Sequence, residues 1–391
     1  MKVFVVDPSL FSPTYDAQFC EALGGLGLDV RLIGRRPRGH EEVEERDFTL
    51  VPHFYRITES LPGFLAPLAR LGKGIEHAFD MHRLVALAER EKPDVIHVEW
   101  SVLPLIDRHF LAKLAKIAPM VLTVHNTVPF HGASSSRLML RGHEDIFAPF
   151  DHFIPHTETI RRHLVGRGID PERMTRLPHP VIRLPQPRAA AGGMGAGEKE
   201  ASGRQHILFF GNIKPYKGVD ILVHAGLDLA RTREDFHITI AGKPFMALDG
   251  LHREIEEAGA GAFFSVIPRY LSEQELADTI ARSDIIVFPY REIDASGAFS
   301  CATQFGRPII ATDIGAFSEE PVREHVLRIP VENTPALRHA LAGLLDDAGE
   351  RERLAGESRR LHEKMYGWER FAGDCLDIYR RLASAAPHRN R

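Results

Sequence analysis

The sequence predicts an α/β protein made of two doubly wound domains, each a parallel sheet with helices on both faces. Three observations carry this reading. Short apolar runs alternate with helix-like segments along the whole chain, the pattern that builds parallel sheets. The chain has 391 residues, too many for one compact core and a good fit for two. Between the halves lies Ala189 to Gln205, AAAGGMGAGEKEASGRQ. It is rich in Gly and Ala, lacks large apolar residues apart from Met194, and reads as a linker or surface insertion. The expected division is 1–185, a linker 186–205, and 206–367.

The strands follow in order. In the first half they are Val3–Val6, Val30–Ile33, Val95–Val98, Val121–Val124 and His152–Pro155. The first helix carries Phe19, Ala22, Leu23 and Leu26 at a spacing that puts them on one face. In the second half the strands are Ile207–Phe210, His237–Ala241, Phe263–Ile267, Ile285–Phe288 and Pro308–Thr312. Ser272 and Glu275 have capping-box spacing ahead of Leu276 and Ile280. Thr334 and Pro335 open a helix with Leu337, Leu341 and Leu344 inside.

Composition narrows the classes. Hydrophobic residues make up 44% and charged residues 26%, as in ordinary globular proteins. The net charge of −4 gives no general attraction to nucleic acid. The three cysteines, Cys20, Cys301 and Cys375, are far apart, so neither a disulfide framework nor a zinc site is expected. No apolar run approaches the roughly 20 residues that span a bilayer, and the opening run Val3–Val6 is too short for a signal peptide. The expected location is cytoplasmic.

Two clusters point to anion chemistry. In ILFFGNIKPYKGVD, Ile207 to Asp220, a buried strand meets Gly211, then Asn212, Lys214 and Lys217, then a helix start near Gly218. A helix N-terminus already offers free N–H groups and partial positive charge, and two lysines strengthen it. The bland alternative is a loop with two solvated lysines. In the second cluster, Pro289 to Glu320, Asp294, Ser296 and Gly297 lie in a loop opening the helix Ala298–Phe305. Asp313, Gly315 and Glu319 follow the next strand. Two such sites fit a nucleotide diphosphate better than a lone phosphate.

Taken together, these blocks resemble the family 4 glycosyltransferases. The resemblance rests on FFGNIKPYKG, DIIVFPY with the following SG, FGRPIIATDIG, PDVIHVEW, LTVHNTVPF and HTETIRRHL with MTRLPHPV. It covers nearly the whole chain. It implies the GT-B fold, two Rossmann-like doubly wound domains facing a central cleft. The first domain would bind the acceptor and the second a nucleotide-diphosphate sugar. A C-terminal helix, about 368–384, would pack back on the first domain.

Residue by residue, the resemblance implies that Lys217 contacts the donor diphosphate and that Lys214 replaces the usual arginine. Gly211 and Asn212 belong to the same donor loop. Ser296 and Gly297 match a loop whose N–H groups face the phosphates, and Glu319 an acidic position near the nucleotide. His125 matches a histidine near the reacting sugar, with Asn126 beside it. Ser12 and Tyr15 lie in the loop after the first strand and are expected to meet the acceptor.

One departure stands out. Family members often carry two glutamates in the second cluster. Counting back from Gly306 gives Ile293 and Cys301; counting forward from Gly297 gives Asp294 and Ala302. Neither register yields two acids. Asp294 is the surviving candidate for the sugar-contacting acid, with Glu292 behind it.

The expected reaction is retaining transfer of a sugar to a glycan or lipid-linked saccharide, as in surface-polysaccharide assembly. Lys214, Lys217 and the loop N–H groups would stabilise charge on the departing diphosphate. No cofactor and no metal ion are expected. The alternatives are a nucleotide-sugar epimerase and a protein that binds a nucleotide sugar or a partner without turnover. His97, His156 and His179 read as structural histidines. Leu61 to Lys73, LPGFLAPLARLGK, reads as a helix packed on the sheet, or as a peripheral membrane contact. Pro62 and Pro67 argue against a long amphipathic helix there.

Overall fold

The computed structural model describes residues 1–39, 41, 43–62, 66–127, 145–188 and 203–385. They form two compact units. One contains the described residues up to Pro178 and those from Tyr366 onward; the other runs from His179 to Met365.

The first unit contains β1 (Lys2–Asp7), α1 (Pro13–Gly25), β2 (Asp29–Arg35), β3 (Thr49–Phe54), α2 (Ala66–Glu91), β4 (Val95–Val98), α3 (Pro104–Leu114), β5 (Met120–Val124), β6 (His152–Pro155) and α4 (Glu158–Gly166). All strands are parallel, in the order β3-β2-β1-β4-β5-β6. The central strands are buried along nearly their whole length, as expected where helices cover both faces. One face packs Phe4, Val6, Ile96 and Leu122 with Leu84, Val85 and Ala88 of α2.

The second unit contains β7 (Gln205–Phe210), α5 (Val219–Ala230), β8 (Phe236–Ala241), α6 (Asp249–Glu257), β9 (Phe264–Ile267), α7 (Glu273–Arg282), β10 (Ile285–Phe288), α8 (Gly297–Thr303), β11 (Ile309–Thr312), α9 (Val322–His325), β12 (Leu327–Ile329), α10 (Thr334–Asp346) and α11 (Ala348–Lys364). Its order, β12-β11-β10-β7-β8-β9, repeats that of the first sheet. Strand order therefore reverses between β1 and β4 in one sheet and between β7 and β10 in the other. In open α/β sheets, ligands bind outside the strand ends at such a switch point.

The final helix, α12 (Trp368–Ala385), belongs to the first unit. Trp368 and Phe371 meet Tyr15 and Phe19 of α1 at ring separations of 5.0–6.4 Å. The Trp368 indole N–H donates to Gln18 at 2.8 Å. This aromatic contact, rather than helix propensity, fixes α12.

Several expectations are corrected. The edge strands β3 and β12 escaped the sequence reading. The first contains Pro52 and His53, and the second has three residues. The units divide at Pro178, not after residue 185. The segment that follows bonds to the second unit: Ile182 N–H to Ser300 Oγ at 2.9 Å, and Leu184 N–H to Gln304 Oε1 at 2.9 Å. Residues 189–202 of the expected linker lie outside the described residues. Leu26 is exposed because α1 has ended at Gly25. The helix α2 starts at Ala66, with Pro67 in its first turn, where a missing N–H costs nothing. Of the expected membrane patch, residues 63–65 and the side chains of 66–71 lie outside the described residues. Ser272 and Glu275 form the predicted capping box, while the cap of α10 is Asn333, which accepts Ala336 N–H.

Candidate functional site

In the second unit the predicted donor residues gather at the carboxyl ends of β7 and β10. Gly211 lies at φ 112° and Gly218 at φ 66°, both in the region glycine favours. A Cβ on Gly211 would stand 3.3 Å from Lys217 Nζ and 3.4 Å from Ala298. The donor loop and the start of α8 are thus adjacent. A Cβ on Gly218 would stand 1.9 Å from the Pro289 carbonyl, so the loop after β10 presses directly on the start of α5.

Lys217 is 9% exposed. Its Nζ donates to Tyr290 Oη at 3.0 Å and lies 4.8 Å from the centre of that ring. Burial holds the Lys217 pKa below the ordinary lysine value. Burial pushes the Tyr290 phenol well up, and Ser296, in the loop that follows, opposes this. Ser296 also caps α8, accepting Phe299 N–H at 3.2 Å. Tyr290 is thus the hydrogen-bond partner of Lys217, and the sequence reading missed it. The signal was its place just after a strand, within the block already singled out.

Lys214 sits nearby, its pKa lowered by burial and then by Lys217. Its ammonium lies 5.8 Å from the Tyr216 ring and 5.5 Å from the Phe245 ring. Asn212 is half-buried in the same loop. Arg291 pins that loop, bonding to the Pro215 carbonyl and to both Asp220 oxygens at 2.6–2.9 Å. Asp294 is buried, in a loop whose neighbour Ile293 crowds Gly315, where a Cβ would come within 2.0 Å of its carbonyl. Gly297 opens α8 beside Ile182. Glu319 is half-buried after a short turn, and its carbonyl accepts Arg323 N–H. Asp313 is bound to Ser318 and Arg328, a structural role.

In the first unit His125 follows β5. Its Nε2 bonds to Glu99 Oε2 at 2.8 Å, and its ring stacks on Trp100 at 4.6 Å and 5°. Glu99 is fully buried. Burial alone would raise its pKa, but His97, His125 and Thr123 outweigh that and hold the carboxyl below its usual range. Sequence reasoning missed Glu99 and Trp100, although both lie in the quoted block PDVIHVEW. Asn126 and Ser12 are half-buried, and Ser12 makes no side-chain cap to α1. Tyr15 is a correction. It is 1% exposed, enclosed by Trp368, Phe371, His125 and His156. Its ring fills the core and supports His125 from behind.

His97, His156 and His179 are each held by hydrogen bonds within the protein. His97 bonds to Thr123 at 2.7 Å and to Tyr379, and burial drives its pKa to about 4. His156 bonds to the Leu177 carbonyl, and His179 to the Pro180 carbonyl. Among the described residues, no cluster of three or more His, Cys, Asp or Glu is placed to hold a metal ion. None of their helices is long and apolar enough to cross a membrane.

Two sheets of one strand order, each with its own switch point, define the class: this is the GT-B architecture of glycosyltransferases. Residues 13–180 match the family model described as Glycosyl transferase 4-like domain, and 204–347 match Glycosyl transferases group 1. Together the matches span most of the chain, which belongs to this glycosyltransferase family. The D-inositol 3-phosphate glycosyltransferase of Salinispora tropica is 26% identical over 94% of this chain and 83% of its own length. That of Streptomyces bingchenggensis is 28% identical over 72% of this chain and 64% of its own length. The match thus spans less than two thirds of the second relative. The solved structure of HepE from Anabaena in complex with UDP-glucose superposes with a TM-score of 0.71 at 13% identity, covering 97% of this chain and 100% of that one.

Proposed function

We propose that this protein is a retaining, metal-independent transferase that moves a sugar from a nucleotide-diphosphate sugar to a hydroxyl of a glycan or lipid-linked saccharide. The observation that carries the reading is Lys217. It is a buried ammonium bonded to a neutral phenol, with no carboxylate at ion-pair distance among the described residues. A buried cation is costly unless an anion completes it, and a diphosphate at the switch point of the second sheet would do so. Lys214, Ser296 and Gly297 stand beside it.

In the proposed step the bond from the anomeric carbon to the diphosphate oxygen breaks, and its electron pair leaves with the diphosphate. The acceptor oxygen bonds to the same carbon on the same face, and its proton passes to a phosphate oxygen. Lys217 and Lys214 stabilise the charge that builds on the leaving group. Asp294 is proposed to contact the sugar of the donor. His125 is proposed to lie near the reacting sugar, with Asn126 and Ser12 toward the acceptor. UDP-glucose is the first donor to try, since the structural neighbour HepE is described with it.

The acceptor's role in surface-polysaccharide assembly and a cytoplasmic location belong to the same proposal. Ile57, Ile75 and Phe79 are exposed by 61–77% and would supply a peripheral membrane contact, tested by co-sedimentation with anionic vesicles. The deciding experiment is a thermal-shift screen with UDP, GDP and ADP and their sugars, wild type beside Lys217→Ala. A shift with one nucleotide that vanishes in the variant supports the reading; a shift unchanged in the variant overturns this placement of the donor.

A second reading has one observation in its favour. The buried Glu99–His125 pair could activate water, as a hydrolysing epimerase requires. UDP release from a UDP-sugar without acceptor, with an epimeric sugar product, would select it.

A further inference from the structure

A cavity of about 60 Å³ lies beside His125, at the carboxyl ends of β4 and β5 of the first unit. Its walls are mainly apolar. Leu122 and Val124 come from β5, Ile146 and Phe147 from a short turn before β6, and Leu164 from α4. Trp100 and His125 line it as well.

The Trp100 side chain is held in place. Its ring stacks on His125 at 4.6 Å and 5°, and Phe11 stands edge-on to it at 5.4 Å and 62°. His125 is tied in turn to the buried Glu99. Fixed between two rings, the Trp100 indole N–H is buried and has no hydrogen-bond acceptor. Indole is a donor only, and a buried donor left unpaired is rare and costly.

The size of the cavity limits its occupant. An apolar cavity of about 150 Å³ takes a benzene ring. This one is well under half that volume, so neither a pyranose ring nor an acyl chain fits inside. A group of about three heavy atoms does. The apolar walls call for a methyl, and the orphaned N–H calls for an accepting oxygen. An acetyl group carries both on one carbon.

We infer that this cavity takes the acetyl group of an acetamido sugar in the acceptor. Its carbonyl oxygen accepts the Trp100 N–H, and its methyl lies among Leu122, Val124 and Leu164. The inference deepens the glycosyltransferase reading above and rests on it for calling this ligand the acceptor, because His125, proposed to lie near the reacting sugar, lines the same cavity. A plain hexose offers a hydroxyl in place of the acetamido group. That hydroxyl leaves the walls unfilled and turns its own hydrogen towards them.

The test is saturation-transfer NMR on the full chain with UDP present. The probes are the methyl glycosides of N-acetylglucosamine, N-acetylgalactosamine and N-acetylmannosamine, beside those of glucose, galactose and mannose. At least one acetamido sugar should bind about tenfold or more tighter than its parent hexose, with the strongest transfer at the acetyl methyl. Trp100→Phe keeps an aromatic ring and loses the N–H, and should weaken that sugar about fivefold. Ile146→Phe fills the cavity and should erase the preference. A urea midpoint shows that each variant is folded. UDP binding is read in the same samples and reports on the donor reading alone, so an acetamido preference without UDP binding would sink that reading and leave this one standing. No acetamido sugar tighter than its parent, or a preference unchanged in both variants, would overturn the inference.

Discussion

The ammonium of Lys217 and the phenol of Tyr290 meet twice, through a 3.0 Å hydrogen bond and through the ring face 4.8 Å away. The ring supports the cation without neutralising it, so its positive charge stays available to a leaving group. Lys217→Ala should lower kcat/KM for the preferred nucleotide sugar by about 10²–10³-fold. Tyr290→Phe keeps the ring and loses only the hydroxyl, so its fall should be about tenfold. Nucleotide release, followed with acceptor present, measures both. Activity within about threefold of wild type in Lys217→Ala would remove the site from the chemistry.

Gly218 joins the donor loop to α5 at a positive φ, with no room for a Cβ beside the Pro289 carbonyl. Gly218→Ala must bear both the backbone strain and the clash. A loss of at least about 2 kcal/mol is expected, read as a lower urea midpoint. Gly250→Ala is the control, because nothing lies within 4 Å of its Cβ and α6 gains a better helix former.

Arg35 is 2% exposed and ties the β1–α1 loop to Glu41. Arg35→Met removes the guanidinium from Glu41 and from the carbonyls of Ser9, Leu10 and Arg36. The expected loss is about 3 kcal/mol or more. Hydrogen exchange at Ser9, Leu10 and Phe11 should quicken before the rest of the sheet responds.

His152 bonds to Thr175, and burial, followed by the nearby Arg381 and Arg173, depresses its pKa from 6.5 to about 4. The unfolded chain therefore takes up a proton that the folded chain refuses. The stability this gives is complete above pH 6.5 and disappears as pH falls towards 4. His97 acts in the same direction, whereas Asp7, raised to about 6 by burial, acts in the opposite one. The comparison is thus wild type against His152→Asn. The variant should show a flatter decline of its urea midpoint between pH 7 and pH 4; parallel curves would refute the assignment.

Much of this architecture was legible because parallel strands buried on both faces leave continuous apolar runs. VFVV at Val3 and IIVF at Ile285 cannot be surface. β3 and β12 were not legible, since an edge strand buries less and tolerates polar residues. Lys217 and Ser296 were legible as types at a strand end, but the phenol that holds Lys217 was not. A tyrosine in an apolar stretch looks like packing until its hydroxyl is placed. Tyr15 shows the reverse error, a loop-proximal polar ring that the C-terminal helix covers. Glu99 and His125 are separated in sequence, and only the sheet topology brings them together.

The return of α12 to the first unit has a consequence for biosynthesis. The second unit is one continuous stretch and can complete its core as soon as it leaves the ribosome. The first unit begins earlier but finishes later. Until Trp368, Phe371 and Tyr379 are translated, Tyr15, Phe19 and His97 face water instead of their aromatic partners. The nascent chain should therefore acquire its protease-resistant cores in the reverse of reading order. The half that carries His125 spends the whole synthesis of the second unit exposed to chaperones.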